Sequence, residues 1–404
     1  MSNVPKLRFK EFSENYKKYK FEDIFSFSTG KNIKQNEASP DFDIPCVRYG
    51  ELYHMYSEVI NKVINKTNLD KSELTFSQGN EILLPSAGED PLDIGSASAL
   101  KIANVAIGRT INILRPLSDN TYLPEYVSYL INTKLKKKIS TLAKGVSISN
   151  VYNSDLKTLT LSLPSKQEQE KIALFFTSVD TKIEQLIKKE ELLQQYKKGV
   201  MQKIFKQEIR FKANDGSEFC DWEEKKLGEY IKQKSTKNKD KIVNLVLSVS
   251  NKKGFITQEE QFDGYEVASK DISGYKIVEK SDYAYNPSRI NVGSIARLKN
   301  FDVGIVSPMY VVFCLKKELN PIFFDNLYQT HKFKYLIKIG CSGSVRDSLN
   351  FEDLSSFKVK IPCIEEQIKI ANFLSSIDFK IEQVQKQLNF TKEFKKALLQ
   401  QMFV

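Results

Sequence analysis

Residues 167–185 read QEQEKIALFFTSVDTKIEQ and residues 365–383 read EEQIKIANFLSSIDFKIEQ, one helix-like phrase written twice, 198 positions apart. Setting 164–205 against 362–403 without a gap gives 18 identities in 42 positions, among them Pro164/Pro362, Glu168-Gln169/Glu366-Gln367, Asp180/Asp378 and Phe205/Phe403. Upstream, Asp155-Leu156 matches Asp353-Leu354 and Gly145 matches Gly343 in the same register. Leu7-Arg8-Phe9-Lys10 matches Ile209-Arg210-Phe211-Lys212 at an offset of 202. The chain is therefore a tandem duplication, each copy running from an Arg-Phe-Lys segment to a helix.

The spacing inside the phrase predicts long helices. Ile172, Val179, Leu186, Leu193 and Val200 recur every seven residues, with Phe175, Phe176, Ile183, Tyr196 and Ile204 expected beside them. This is the apolar seam of a coiled coil. The second copy keeps Ile370, Ile377, Val384 and Leu398 on the stripe and places Thr391 where the first has Leu193. Ser165 and Glu168 have the Ser-x-x-Glu spacing of a capping box, and Cys363 takes the cap position in the second copy. About 39 helical residues span roughly 58 Å. Such helices bury a narrow stripe against each other or against a partner.

Between these parts each copy is mixed. Val105 to Leu114, Leu159 to Leu163, Val243 to Val249, Val303 to Leu315 and Phe357 to Ile361 read as strands, and 122–142 and 321–339 each as one helix. The expected fold is α+β, two strand-rich globules each followed by a long helix, in a pseudo-twofold repeat. The expected boundaries are 1–163, 164–206, 207–361 and 362–404.

Composition narrows the function. The 404 residues carry a formal charge of +11, which favours a polyanionic partner. No stretch has the apolar length of a membrane span and no apolar run follows the basic N-terminus, so a cytoplasmic protein is expected. Five scattered cysteines and two histidines suggest neither a disulfide framework nor a metal site.

Globule, then Pro and Glu-Gln opening a long helix with Ile-Ala and Asp-x-Lys-Ile-Glu, then the same again: this order, carried by LPSKQEQEKIALFFTSVDTKIEQ and IPCIEEQIKIANFLSSIDFKIEQ, resembles the specificity subunit of type I restriction-modification enzymes. The resemblance covers essentially the whole chain. It implies that each globule is a target recognition domain reading one half of a bipartite double-stranded DNA target. It further implies that the helices pack as an antiparallel coiled-coil spacer, set the spacing and dock two methyltransferase subunits, and that motor-nuclease restriction subunits complete the assembly. S-adenosylmethionine would then serve the methyltransferase, and ATP with Mg the motor, with no cofactor in this chain. The helix residues expected to carry docking and spacing are Ile172, Phe175, Val179, Ile183, Leu186, Ile370, Phe373, Ile377, Ile381 and Val384.

Motif inspection agrees with a non-catalytic subunit. There is no Asn-Pro-Pro-Tyr-like tetrad; Asn286-Pro287-Ser288 lacks its second proline and aromatic. Thr29-Gly30-Lys31-Asn32 has Phe25 where a phosphate-binding loop needs glycine, and it reads as a turn. Two other readings remain at this point: a coiled-coil adaptor that binds proteins without sequence-specific DNA contact, and an enzyme with an unfamiliar site.

Two readers of different half-sites should differ where they touch bases. Arginine, whose planar fork suits guanine, is scarce, eight against 53 lysines. Arg8 and Arg210 match between copies and are expected to be structural. Arg48, Arg109, Arg289, Arg297 and Arg346 have no arginine counterpart, so they are candidate DNA contacts, with surface ion pairs as the plainer reading. Lys144, Ser147 and Ser344 lie in small polar loops suited to phosphate or base contact.

Overall fold

The computed structural model describes residues 4–118, 121–145, 147–251, 253–261, 271–341 and 348–404. The chain forms two compact units, Met1–Lys188 with Gln385–Val404, and Lys189–Val384. Each therefore contains one globule, the first part of the long helix that follows it, and the last part of the other long helix. The long helices are Lys166–Phe205 and Ile364–Met402.

In the first unit, Lys17–Lys20 pairs antiparallel with Thr160–Leu163, Tyr19 opposite Leu161, so the globule opens and closes through one two-stranded neck. Inside lies a five-stranded sheet in the order Phe25–Thr29, Ile111–Pro116, Glu81–Pro85, Ser98–Leu100, Val59–Ile60. A four-stranded sheet has the order Lys66–Thr67, Ile44–Val47, Ala103–Ile107, Phe76–Gln78. Alternation divides the core. Ile111, Ile113 and Leu83 join Val47, Val105 and Ile107 between the sheets, whereas Leu114, Ile82 and Leu84 face the helical side with Tyr126, Leu130 and Phe176.

The second unit repeats the plan. Glu223–Lys226 pairs with Lys358–Ile361 as the neck. Ile231–Lys234, Val311–Leu315, Tyr283–Tyr285 and Ile295–Arg297 form the central sheet. Leu247–Ser250 pairs with Gly254–Thr257, and Lys276–Glu279 with Val303–Val306.

Two expected strands are each broken in two. Ala103–Ile107 and Ile111–Pro116 are separated by Gly108-Arg109-Thr110, with Thr110 at φ 67°, and Val303–Val306 and Val311–Leu315 by the turn at Ser307-Pro308. The expected strand over 243–249 is confined to Leu247–Ser250, because Asn238 binds the Val243 amide and carbonyl through its side chain and holds that stretch in a loop. The helix expected over 321–339 is two, Pro321–Leu327 and His331–Gly340, because the Thr330 hydroxyl accepts from the Phe333 amide and caps a new start. The segment expected over 122–142 stays helical, with a π-turn at Ile131–Leu135.

The duplicated Glu-Gln pair explains how each globule grips its helix. In the first unit Glu168, fully buried, accepts from Arg8 Nε at 2.8 Å and Nη2 at 2.7 Å and from the Tyr16 hydroxyl at 3.1 Å. Gln169 accepts from the Leu123 amide at 2.8 Å and donates to the Pro164 carbonyl at 3.0 Å. In the second unit Glu366 holds Arg210 and the Trp222 indole, and Gln367 bonds the Asn320 amide and the Pro362 carbonyl. The helix start is thereby tied to both ends of its globule. Arg8 and Arg210 are structural, as their match between the copies suggested.

The two helical segments in each unit run antiparallel. In the first, Met402 and Phe403 are buried with Ile172, Ala173 and Phe176, the Phe176 and Phe403 rings 5.7 Å apart. In the second, Ile204 is buried with Ile370, Leu374 and Ile377, and Phe205 lies 5.4 Å from Phe323. On the expected stripe Ile172, Leu186, Ile370, Ile377 and Val384 are buried and Val179 and Ile183 half-buried. Phe175, Phe373 and Ile381 pack against the cores. Tyr196, expected beside the seam, is instead 52% exposed, since a 3.6-residue turn carries flanking positions away from a 3.5-residue stripe.

Candidate nucleic-acid interface

Hydrogen bonds gather the loops at one end of the first globule. The Arg109 amide donates to the Asn32 carbonyl at 2.9 Å, the Lys31 amide to Ile107 at 3.0 Å and the Gly108 amide to Val47 at 2.8 Å. Ser86 donates to Thr110 at 2.9 Å, and Ala87–Gly88 pairs with Ser149–Asn150, which Lys144 bonds in turn. Arg48, Arg109, Lys144 and Ser147 thus stand on loops that are bonded to one another, although the sequence separates them by up to 99 positions.

Close approach dictates the glycines there. A Cβ on Gly30 would fall on the Gly108 carbonyl oxygen, and one on Gly108 would stand 3.1 Å from the Val47 carbonyl. Asn32 and Ile33 also have positive φ, 49° and 56°. Backbone strain in β-branched Ile33 and Thr110 is held by the surrounding bonds, and strain of this kind clusters at functional sites.

The four side chains differ in what they can offer. Arg109 is exposed and makes no ion pair among the described residues, and Ser147 is exposed. Arg48 donates through Nε to the buried Glu51 at 2.8 Å, so part of its guanidinium is committed within the globule. Lys144 is exposed but pairs with Asp155 at 2.8 Å; that hydrogen bond lowers the Asp155 carboxyl below its usual value. Lys31, a turn residue by its sequence, is exposed on the strand end that bonds the Arg109 loop. No motif marks it, because the bonds joining its loop to 107–109 are made by backbone.

In the second unit Asn286-Pro287-Ser288-Arg289 occupies the corresponding strand end. The Asn286 amide bonds the Ser294 carbonyl, its side chain reaches the Met309 sulfur at 3.7 Å, and Arg289 is exposed. Arg297 is elsewhere in character: its Nη2 donates to Asp325 at 2.8 Å in a part-buried cluster that also takes the Lys299 ammonium and the Tyr283 hydroxyl. Ser344 and Arg346 lie outside the described residues. In the lysine-rich stretch 232–241, Lys234 pairs with Glu279 and Asp282, and Lys241 with Asp271.

The family described as "Type I restriction modification DNA specificity domain" matches residues 13–194 and again 220–390. The chain belongs to this family. It resembles a chain of Methanocaldococcus jannaschii assigned as the MjaX type I restriction enzyme specificity subunit, 27% identical over 316 residues, 72% of this chain and 70% of that one. The MjaVIII specificity subunit of the same organism is 24% identical over 376 residues, 84% and 81% of the two chains. The crystal structure of the type I restriction-modification S subunit from M. genitalium shares the fold over 99% of both chains, with a TM-score of 0.62 at 18% identity.

A type I specificity subunit is a DNA-recognition subunit with two domains, and it is non-catalytic; catalysis resides in other subunits. It works in a complex with methyltransferase and restriction subunits. Among the described residues no helix is long and apolar enough to cross a membrane.

Proposed function

We propose that each globule of this subunit reads one half of a bipartite DNA target, 1–163 the first and 207–361 the second. The helices 164–206 and 362–404 set the unread gap between them. The observation that carries this reading is the convergence of Arg48, Arg109, Lys144 and Ser147 on one bonded loop cluster, with Arg289 on the matching strand end of the second globule. Arg109 and Lys31 contact base edges or phosphates; Arg48 and Lys144 do so with one partner already in the globule. Arg297 serves the core of the second globule. Ser344 and Arg346 stay candidate contacts from sequence. Two half-sites read this way stand about 34–36 Å apart on duplex DNA, one helical turn.

Two methyltransferase subunits, with S-adenosylmethionine as donor, dock on the helices, and motor-nuclease subunits using ATP and Mg join that core in the cytoplasm. The apolar stripe of Ile172, Leu186, Ile377 and Val384 is taken up within the chain, so docking falls to the exposed faces. Leu192 and Tyr196 match Phe390 and Phe394 at the 198-residue offset, and all four are exposed. Equivalent patches suit two copies of one partner. The adaptor reading gains nothing, since it leaves the loop clusters without a role.

Mapping methylated adenines in cells that hold the matching methyltransferase subunit, with and without this chain, tests the proposal. A bipartite motif with a fixed gap should depend on the chain. A motif with a single continuous recognition element would contradict the two-reader account.

A further inference from the structure

The second copy carries a thiol pair that the first lacks. Cys220 precedes Trp222, whose indole binds Glu366, and Cys363 occupies the cap position of the helix Ile364–Met402. Both line one 530 Å3 cavity, with Pro362 and Glu365 beside them. The neck pairs Glu223 with Ile361, so the segments just outside it bring Cys220 and Cys363 to the same cavity wall. Cys220 is exposed and Cys363 half-exposed, whereas Cys46 and Cys341 are buried.

The scaffold does not demand sulfur at either place. Arg8 Nη2 donates to the Glu14 carbonyl at 2.7 Å as Arg210 Nη2 donates to that of Cys220 at 2.6 Å, so Glu14 is the counterpart of Cys220. Ser165, the counterpart of Cys363, caps its helix by accepting from the Glu168 amide at 3.4 Å. The cap position thus holds serine in one copy and cysteine in the other.

We infer that Cys220 and Cys363 form a peroxide-sensitive disulfide that closes the neck of the second globule. Exposed Cys220 reacts first. Its thiolate attacks one peroxide oxygen, the O–O bond breaks, and Cys220 sulfenic acid and hydroxide result, the hydroxide leaving as water with the thiol's proton. Cys363 sulfur then attacks the sulfenic sulfur, the S–O bond breaks, and a second water leaves. In sum two thiols and one hydrogen peroxide give a disulfide and two waters, the thiols losing two electrons to the peroxide. Burial first, and then Glu365 and Cys220, hold the Cys363 thiol above its usual value, which suits it to the resolving role rather than to first attack. The bond would enclose residues 221–362, both neck strands included, and constrain the unfolded second globule while leaving the first untouched.

The test uses the full-length chain, treated with hydrogen peroxide, alkylated, digested without reductant and analysed by mass spectrometry. Expected is one linked peptide pair joining Cys220 to Cys363 within a single chain, two hydrogens lighter than the separate thiol peptides and separated by dithiothreitol. In Cys363→Ser, which copies the first repeat's cap, the linked pair should vanish and dimedone should trap sulfenic acid at Cys220. Cys220→Ser should leave Cys363 undimedonylated. Overoxidation of wild-type Cys220 beside an unreacted Cys363, or Cys220 linking two chains, would overturn the inference.

Discussion

The Lys395 ammonium lies 2.7 Å from Asp180 and 2.8 Å from Glu58 in the first unit, beneath the Tyr129 ring, with the Tyr129 hydroxyl donating to Asp180. The repeat-related pair in the second unit, Lys197 and Asp378, is 2.6 Å apart, and there Asp378 is half-exposed. One ion pair has been built twice, half-buried in the first unit and open to water at Asp378 in the second.

Removing the cation should therefore have unequal effects. Lys395→Met leaves Asp180 and Glu58 facing each other with no cation between them, and we expect a loss of about 3 kcal/mol in denaturant unfolding. Lys197→Met should cost under about 1 kcal/mol, because water solvates Asp378. Equal losses would refute the distinction.

The same cluster fixes a pH dependence. Burial, against the pull of Lys395, raises Asp180 above its ordinary value, so the folded chain binds this proton before the unfolded chain does. That term adds stability as pH falls through the folded value towards 3.8, opposite in sign to an ordinary salt-bridged carboxylate. Lys395 is held above 10.5 by Glu58 and Asp180 despite burial, and its contribution is lost only as pH rises through that raised value. Unfolding free energies of Asp180→Asn and wild type at pH 7 and pH 5 should converge as the pH falls.

At the helix start, Arg8 grips Glu168 with two nitrogens. Arg8→Lys cannot reproduce that fork and should destabilise the first unit by about 2 kcal/mol, with Arg8→Ala costing about 3 kcal/mol. Thermal unfolding of the two variants checks the order, and a harmless lysine would contradict the bidentate account.

Arg109 and Arg297 separate contact from support. Arg109→Ala should weaken duplex binding and lower the slope of log affinity against log salt by about one, with stability unchanged. Arg297→Ala should lower the stability of the second unit by roughly 2 kcal/mol, because Asp325 loses a part-buried partner. Salt titrations of binding and denaturant melts together distinguish the two.

The long helices were legible because seven-residue spacing and duplication leave marks at fixed offsets, from Ile172 to Val384. Arg8 and Arg210 were legible as structural because they repeat. The strand breaks were hidden, since at 108–110 a turn is made by backbone bonds to Asn32 and Val47, residues remote in sequence. For the same reason Arg109 was visible as an unmatched arginine while its neighbour Lys31 was not. Arg297 and Arg109 look alike in sequence, and only Asp325, folded against one of them, tells them apart.

On the proposed function, one globule reads one half-site through its bonded loop cluster. The most direct measurement maps methylated adenines in cells that carry the matching methyltransferase subunit and either this chain or its Lys31→Ala, Arg109→Ala double variant. In the double variant one half of the motif should lose sequence preference while the other half and the gap stay as they were. Relaxation of both halves together, or of neither, would contradict it.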